Sequence, residues 1–443
     1  MRIQLSEHFT YRKILRFVLP SIIMMIFTSV YSVVDGLFIS NFVGKIPFAS
    51  INLIMPFLMG MGAVGFMIGT GGSALVAKTL GEGDRKRANR YFSMLVYVTV
   101  ISGVILTVIG LIFIRSIAIA MGATENLLED CVIYGRIMLM FQTAFMLQSF
   151  FQSMFVAAEK PKLGLVMTVM AGLTNMVLDA LFVAVLHKGV AGAALATVIS
   201  QIVGGVFPIF YFARPNSSLL HLTKTTIDIK AIIRVCANGS SELMTTISSS
   251  VVGVLYNIQL MNIAGENGVA AYGVIMYVTF IFVALFIGYS IGCAPVIGYN
   301  YGSGNHYELK NMFKKSIVII GALGISLSLL AEILAVPLSK IFVGYDKELF
   351  TMTCYGFRLY SLSFLISGFN IFGSAFFTAL NNGAVSAGIS FMRTLVFQAV
   401  SVLIIPILFG ITGIWISITA AECFALIVTF SCLIYNRKKY HYI

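Results

Sequence analysis

"LGEGDRKRANRYF", residues 80–92, lies over "YGSGNHYELKNMF", residues 301–313, at an offset of 221, and both keep two glycines before a polar, basic stretch. The same offset sets "FASINLIMPF" (48–57) over "VAAYGVIMYV" (269–278), Gly44 over Gly265, and "GVAGAALATVISQ" (189–201) over "GITGIWISITAAE" (410–422), keeping Gly189/Gly410 and Gly192/Gly413. Self-similarity at a fixed period means one structural unit used twice. The residues between these anchors say what the unit is.

Of 443 residues, 59% are hydrophobic and only 10% charged, against about 25% charged in soluble domains. Lipid, not water, is therefore the main solvent. Apolar stretches of about 20 residues cross a hydrocarbon core of about 30 Å. Twelve are found, at 17–41, 48–77, 91–114, 132–156, 163–186, 189–212, 235–263, 268–298, 316–339, 356–380, 385–408 and 411–435. The chain reads as an all-α membrane protein of twelve transmembrane helices in two pseudo-symmetric six-helix bundles, an N-lobe (1–218) and a C-lobe (219–443). An even span count gives both lobes the same orientation. "ARPNSSLLHLTKTTIDIK", 213–230, is polar and carries a proline, as a linker should. Two such bundles facing one another enclose a cavity, and rocking of one against the other gives alternating access.

Placing both termini in the cytoplasm puts 21 of the 29 Lys and Arg on the inner side, seven outside or at outer span ends and one, Arg393, deep within a span, the expected positive-inside bias. The first 16 residues carry Arg2, Arg12, Lys13 and Arg16 and run into a long span without an evident cleavage site, so the N-terminus is expected to be retained. The net charge of +12 then reflects topology and attraction to anionic headgroups of the bilayer, not nucleic acid. The six cysteines form no Cys-x-x-Cys pair and the five histidines fall in predicted loops or tails, which argues against zinc, haem or a histidine proton relay. "GEGD" and "GSGN" are loops, not phosphate cradles, and no Walker motif is present, so ATP coupling within this chain, a cofactor and enzymatic activity are not expected.

The few ionisable groups inside the spans carry the functional signal. Asp35 sits in the apolar run "YSVVDGLFIS" (31–40), where an acid at mid-membrane costs about 2.5–3.5 kcal/mol on insertion scales. Asp35 lies nine residues before Gly44, Asp179 nine before Lys188 and Thr197 nine after it, which sets all three about 13–14 Å below the outer boundary. Asn175 precedes Asp179 by four and shares its helix face. Such a set offers either the all-oxygen shell that Na⁺ prefers or a carboxyl that low dielectric and like-charge repulsion make able to take up and release a proton. Adding 221 leads to Tyr256, Val396, Val400 and Ile418: the second half lacks the acids and the amide.

In the C-lobe, Arg393 and Glu422 reach similar depths from opposite sides and are expected to pair, for structure first and for gating or substrate contact second. Glu332 is read as snorkelling or cavity lining, and Glu242, near the inner end of the seventh span, as a weaker signal. The Phe and Met content suits a forgiving cavity, though most of these side chains face lipid or pack helices.

Taken together, Pro20 with Asp35 fifteen residues later, "VVDGLFISNFVG" followed by "FASINLIMP", and the "LGEGD", "AEKPKLG" and "TNMVLD" stretches in this order resemble the MATE (multidrug and toxic compound extrusion) transporters over essentially the whole chain. The resemblance implies antiport of cationic or amphipathic organic compounds against H⁺ or Na⁺ in a bacterial plasma membrane, by a monomer. It also implies that Asp35, Asn175, Asp179 and Thr197 form an N-lobe cation site and that Pro20 is a hinge. A second, C-lobe coupling acid of some members has no match in Thr245–Asn262. The rival expectation is a flippase for lipid-linked saccharides, which would line its cavity with several cations, where this sequence places Arg393 alone.

Overall fold

The computed structural model describes residues 3–442, so Arg2 lies outside the described residues. Among the described residues, eight helices are long and apolar enough to cross a membrane. Two of these are each two spans merged across a glycine: Ile229–Gly302 breaks at Gly265 and Gly383–Tyr440 at Gly410. Two further spans are bent pairs, Glu125–Met140 with Gln142–Ala157 (58°) and Lys347–Ser361 with Phe364–Ala379 (49°). The total is twelve, as the hydropathy reading expects.

The repeat is written into the backbone. Gly44 and Gly265 have φ of 114° and 63°, Gly189 and Gly410 of 59° and 56°, and Gly83 and Gly304 of 85° and 69°. An L side chain is strained in that half of conformational space, so each pair marks the same turn in both lobes. Asp84 and Asn305, also 221 apart, both cap the helix that follows, accepting from Arg87 N and Glu308 N. The two bends fall at Phe141 and at Leu362, the same repeat position.

The lobes meet along the face that carries the basic loops and both termini. A Cβ on Gly81 would collide with the Tyr299 carbonyl, and one on Gly302 with the Lys78 carbonyl. These are symmetry-related halves of one contact, so "LGEGD" and "YGSGN" are the place where the two bundles touch. Higher up, Gly71 packs on Val235 and Gly239, while its repeat mate Gly292 packs on Val18. Farther from that face, the Ser29 hydroxyl donates across to the Phe280 carbonyl at 3.4 Å. The apolar core around Ile54, Tyr134 and Val198 in the far half of the N-lobe contains N-lobe residues alone. The lobes are thus pressed together at the basic face, with contacts running at least as far up as Ser29.

Two segments tie the basic face together. Residues 214–228 carry no helix and run along the start of the third span (Arg85–Ala120), with Arg85 donating to the Ser218 and Leu219 carbonyls and Asn89 accepting from His221 N. The N-terminal strap is bound by both lobes: Leu5 N donates to Glu159 of the N-lobe at 2.8 Å, and Phe9 N to Glu308 of the C-lobe at 2.9 Å. Leu5 and Phe9 are fully buried there.

Candidate functional site

The first span (Tyr11–Phe42) delivers Asp35, the fifth (Pro161–Asp179) delivers Asn175 and Asp179, and the sixth (Gly189–Ala213) delivers Thr197. They converge. The carboxyls of Asp35 and Asp179 adjoin each other, and Asn175 adjoins Asp35. Asn175 Nδ2 donates to Thr197 Oγ1 at 3.5 Å, and Thr197 Oγ1 donates to the Ala193 carbonyl at 3.1 Å. Asp179 and Asn175 are buried, at 0% and 1% exposure.

Their oxygens are left wanting. Asp35 Oδ1, both oxygens of Asp179 and Asn175 Oδ1 are buried without a hydrogen-bond donor among the described residues. A buried acceptor without a partner costs about 1–3 kcal/mol, and more when charged. Two carboxyls in contact need a positive charge between them, and either a shared proton or a bound monovalent cation supplies it. With two carboxylates and otherwise neutral oxygens, the donor set fits H⁺ or Na⁺; no group of three or more His, Cys, Asp or Glu suited to a metal occurs among the described residues. Immediately after Asp179 the helix widens into a π-turn, Ala180–Val185, a feature that often marks functional positions.

Tyr134 of the fourth span was not singled out from the sequence, yet its buried hydroxyl is turned toward Thr197, Asp35 and Asp179. It lies seven residues, about two helical turns, before the bend at Phe141, and nothing in its local sequence separates it from a packing tyrosine.

The C-lobe counterpart is built differently. Arg393 Nε donates to both Glu422 oxygens at 2.9 and 3.0 Å, and Nη2 to Oε1 at 2.8 Å. Asn370 Nδ2 donates to Glu422 Oε2 at 2.7 Å, and Thr429 donates to Asn370 Oδ1 at 2.9 Å. The expected pair forms, and both Glu422 oxygens are satisfied. Arg393 also stands in a π-turn, Met392–Phe397, at a different repeat position from that of the N-lobe. Tyr256, the mate of Asp35, is buried, stacks on Tyr272 with ring centroids 5.0 Å apart and lies within electrostatic reach of Glu422.

One detail of the repeat needs correcting. Glu159 and Asn381 share a positive φ, of 57° and 58°, and the same turn hydrogen bonds, which sets the offset at 222 across the fifth and eleventh spans. The mates of Asn175 and Asp179 are then Phe397 and Ser401, not Val396 and Val400. A one-residue insertion in the second lobe before Asn381, compensated before Gly410 where the offset is again 221, explains the slip, and the conclusion that the second lobe lacks both acids stands.

Glu332 is held by Ser361 at 3.3 Å and Arg358 at 3.6 Å. Pro20 is buried in the first span, which stays helical through it, beside a groove of about 580 Å³ lined by Arg16, Phe17 and Pro161. Glu242, the weaker signal, lies on a cavity of about 440 Å³ between the lobes together with Arg393.

The MatE family model matches residues 20–181 and 243–404, one copy in each lobe. The chain belongs to the MatE family. A MatE-like relative, the multidrug export protein MepA of Staphylococcus haemolyticus, is 26% identical over 428 residues, covering 94% of this chain and 92% of that protein. The same fold occurs in a solved structure of a multidrug resistance MATE family transporter in an outward-facing conformation (TM-score 0.91, 23% identity, 98% and 96% coverage). A MATE protein in a straight conformation is equally close (TM-score 0.91, 22% identity, 98% and 97% coverage). The two-lobe MatE architecture is thus the frame on which both polar clusters are carried.

Proposed function

We propose that this MatE-family protein is a secondary active exporter of cationic or amphipathic organic compounds, driven by H⁺ or Na⁺ entering at Asp35, Asn175, Asp179 and Thr197. The observation that carries the reading is the cluster of unpartnered carboxyl and amide oxygens in one lobe only. Its place on three spans, in the half of the N-lobe away from the basic face, supports a role in conformational change. A cation there draws the first, fifth and sixth spans together, and only a difference in ion affinity between two states can bias their equilibrium. The multidrug export relatives agree with organic substrates.

By the positive-inside rule we read the basic face, with both termini, as the cytoplasmic side of a bacterial plasma membrane, and its tight contacts support an outward-facing state. Pro20, with its groove, is the proposed hinge, since proline frees a carbonyl and tolerates bending. The protein is proposed to act as a monomer. A saccharide-lipid flippase is disfavoured, because Arg393, the cation that would meet a phosphate, is already neutralised by Glu422.

The test is efflux of a fluorescent dye cation from proteoliposomes under an imposed pH gradient and, separately, a sodium gradient. One gradient is expected to drive efflux by the wild type and neither by Asp35→Asn; undiminished efflux by the variant would refute the assignment.

A further inference from the structure

One wall of the cavity between the lobes is lined by side chains whose hydrogen-bonding polarity is biased one way. On the seventh span (229–264), Glu242, Thr245, Thr246, Ser249 and Ser250 form one helix face and all border the cavity. Each hydroxyl has one proton, and here it is spent on the helix. Thr245 donates to the Ser241 carbonyl at 2.8 Å, Thr246 to Glu242 at 3.0 Å, Ser249 to Thr245 at 2.8 Å and Ser250 to Thr246 at 3.2 Å. Across the cavity, Thr70 and Thr394 do the same with Phe66 and Ser390, at 2.9 and 2.7 Å. What these hydroxyls keep for an occupant is lone pairs.

The charges reinforce that bias. Arg393 borders the cavity, but its charge is matched by Glu422, which is 1% exposed and also bound by Asn370. The Glu242 side chain has no hydrogen-bond or ion-pair partner among the described residues, and it is the one acid among the residues bordering the cavity. Ser290, bordering the cavity from the eighth span (266–302), is 4% exposed and its hydroxyl is unpartnered, so unlike the stripe it keeps a proton as well as lone pairs for an occupant. Phe280, Val283 and Ile287 give the same space an apolar wall.

We infer that this cavity selects organic cations that carry N–H groups, such as amidinium, guanidinium and primary ammonium compounds with a flat apolar body, over quaternary cations of the same size and charge. An N–H cation satisfies Glu242 and several lone pairs at once. A quaternary cation offers Glu242 only its charge and leaves the acceptors, once desolvated, unpaired. The volume, about 440 Å³, fits a ligand of one or two rings. The inference deepens the export reading and rests on it for calling the cavity a substrate site.

The probes are benzamidinium and phenyltrimethylammonium, which share ring and charge and differ in N–H groups. Binding of each to purified protein in detergent is measured by calorimetry, beside the dye-efflux assay. The wild type is expected to bind benzamidinium at least about tenfold tighter, the value of one charged hydrogen bond. Glu242→Gln should weaken benzamidinium by about tenfold or more. Thr245→Val with Ser249→Ala, which keeps Glu242, should narrow the preference several-fold and leave phenyltrimethylammonium unchanged. Equal affinity of the wild type for both probes, or an unaltered preference in the hydroxyl-free variant, overturns the inference. Gradient-driven dye efflux without a binding preference defeats this inference and leaves the export reading standing. A binding preference without gradient-driven efflux supports the selectivity of the cavity and defeats export.

Discussion

The two lobes share a backbone and differ in chemistry. In the N-lobe, Asp35 and Asp179 meet with buried oxygens that no donor among the described residues satisfies; in the C-lobe, Arg393, Glu422, Asn370 and Thr429 form a network among themselves. The repeat keeps what the fold requires, the positive-φ glycines, the Asp84/Asn305 caps and the Gly81/Gly302 contact. It does not keep the ionisable groups. A satisfied ion pair can serve the fold alone, whereas an unsatisfied pair of acids raises the energy of the protein unless a cation binds. The difference assigns structure to one lobe and, in our proposal, coupling to the other.

The largest effect that would break this comparison is on transport. Asp179→Asn is expected to lower gradient-driven efflux by two orders of magnitude or more, about 3 kcal/mol or above, while the melting temperature of the purified protein stays level or rises, because one buried like charge is gone. Loss of folding together with loss of transport would instead make the N-lobe cluster structural.

The C-lobe should respond in the opposite sense. Glu422→Gln strands the Arg393 charge, which is 14% exposed at its side chain, and is expected to cost about 3–5 kcal/mol, read as a large drop in thermal stability. Replacing both partners, Arg393→Met with Glu422→Leu, should recover most of it. A single Glu422→Gln variant as stable as the wild type would show that the pair does not hold the lobe.

A smaller, matched pair of effects tests the shared backbone. Gly265→Ala and Gly410→Ala place a Cβ at φ of 63° and 56° with ψ of −153° and −136°, and each should cost about 1–3 kcal/mol. Equal losses in thermal melts support the repeat; a loss confined to one lobe would sharpen the asymmetry beyond the polar clusters.

The smallest effect concerns the strap. Glu308→Gln weakens the acceptor of Phe9 N, Asn311 and His8, and hydrogen exchange of residues 3–10 should rise several-fold, for about 1 kcal/mol. Unchanged exchange would mean that burial of Leu5 and Phe9 alone holds it.

The spans, the repeat and the level shared by Asp35, Asp179 and Thr197 were legible because they depend on spacing along helices, which 1.5 Å per residue converts into depth. The Arg393–Glu422 pair was legible for the same reason. Tyr134 was not, since a tyrosine beside a bend has no periodic signature. The stripe from Glu242 to Ser250 has i, i+3, i+4, i+7, i+8 spacing, but Ser and Thr in membrane helices commonly bond their own backbone, so only the cavity beside them gives them meaning. The Leu5–Phe9 strap was illegible because its partner Glu308 lies about 300 residues away and its grip is a tertiary contact.

The most direct measurement is gradient-driven dye efflux, in one vesicle preparation, by the wild type, Asp179→Asn and the double variant Arg393→Met, Glu422→Leu. Efflux that disappears in the first variant and stays coupled to the ion gradient in the second is the predicted result. Coupled efflux that survives Asp179→Asn, or that fails in a folded Arg393→Met, Glu422→Leu protein, would contradict a coupling site confined to the N-lobe.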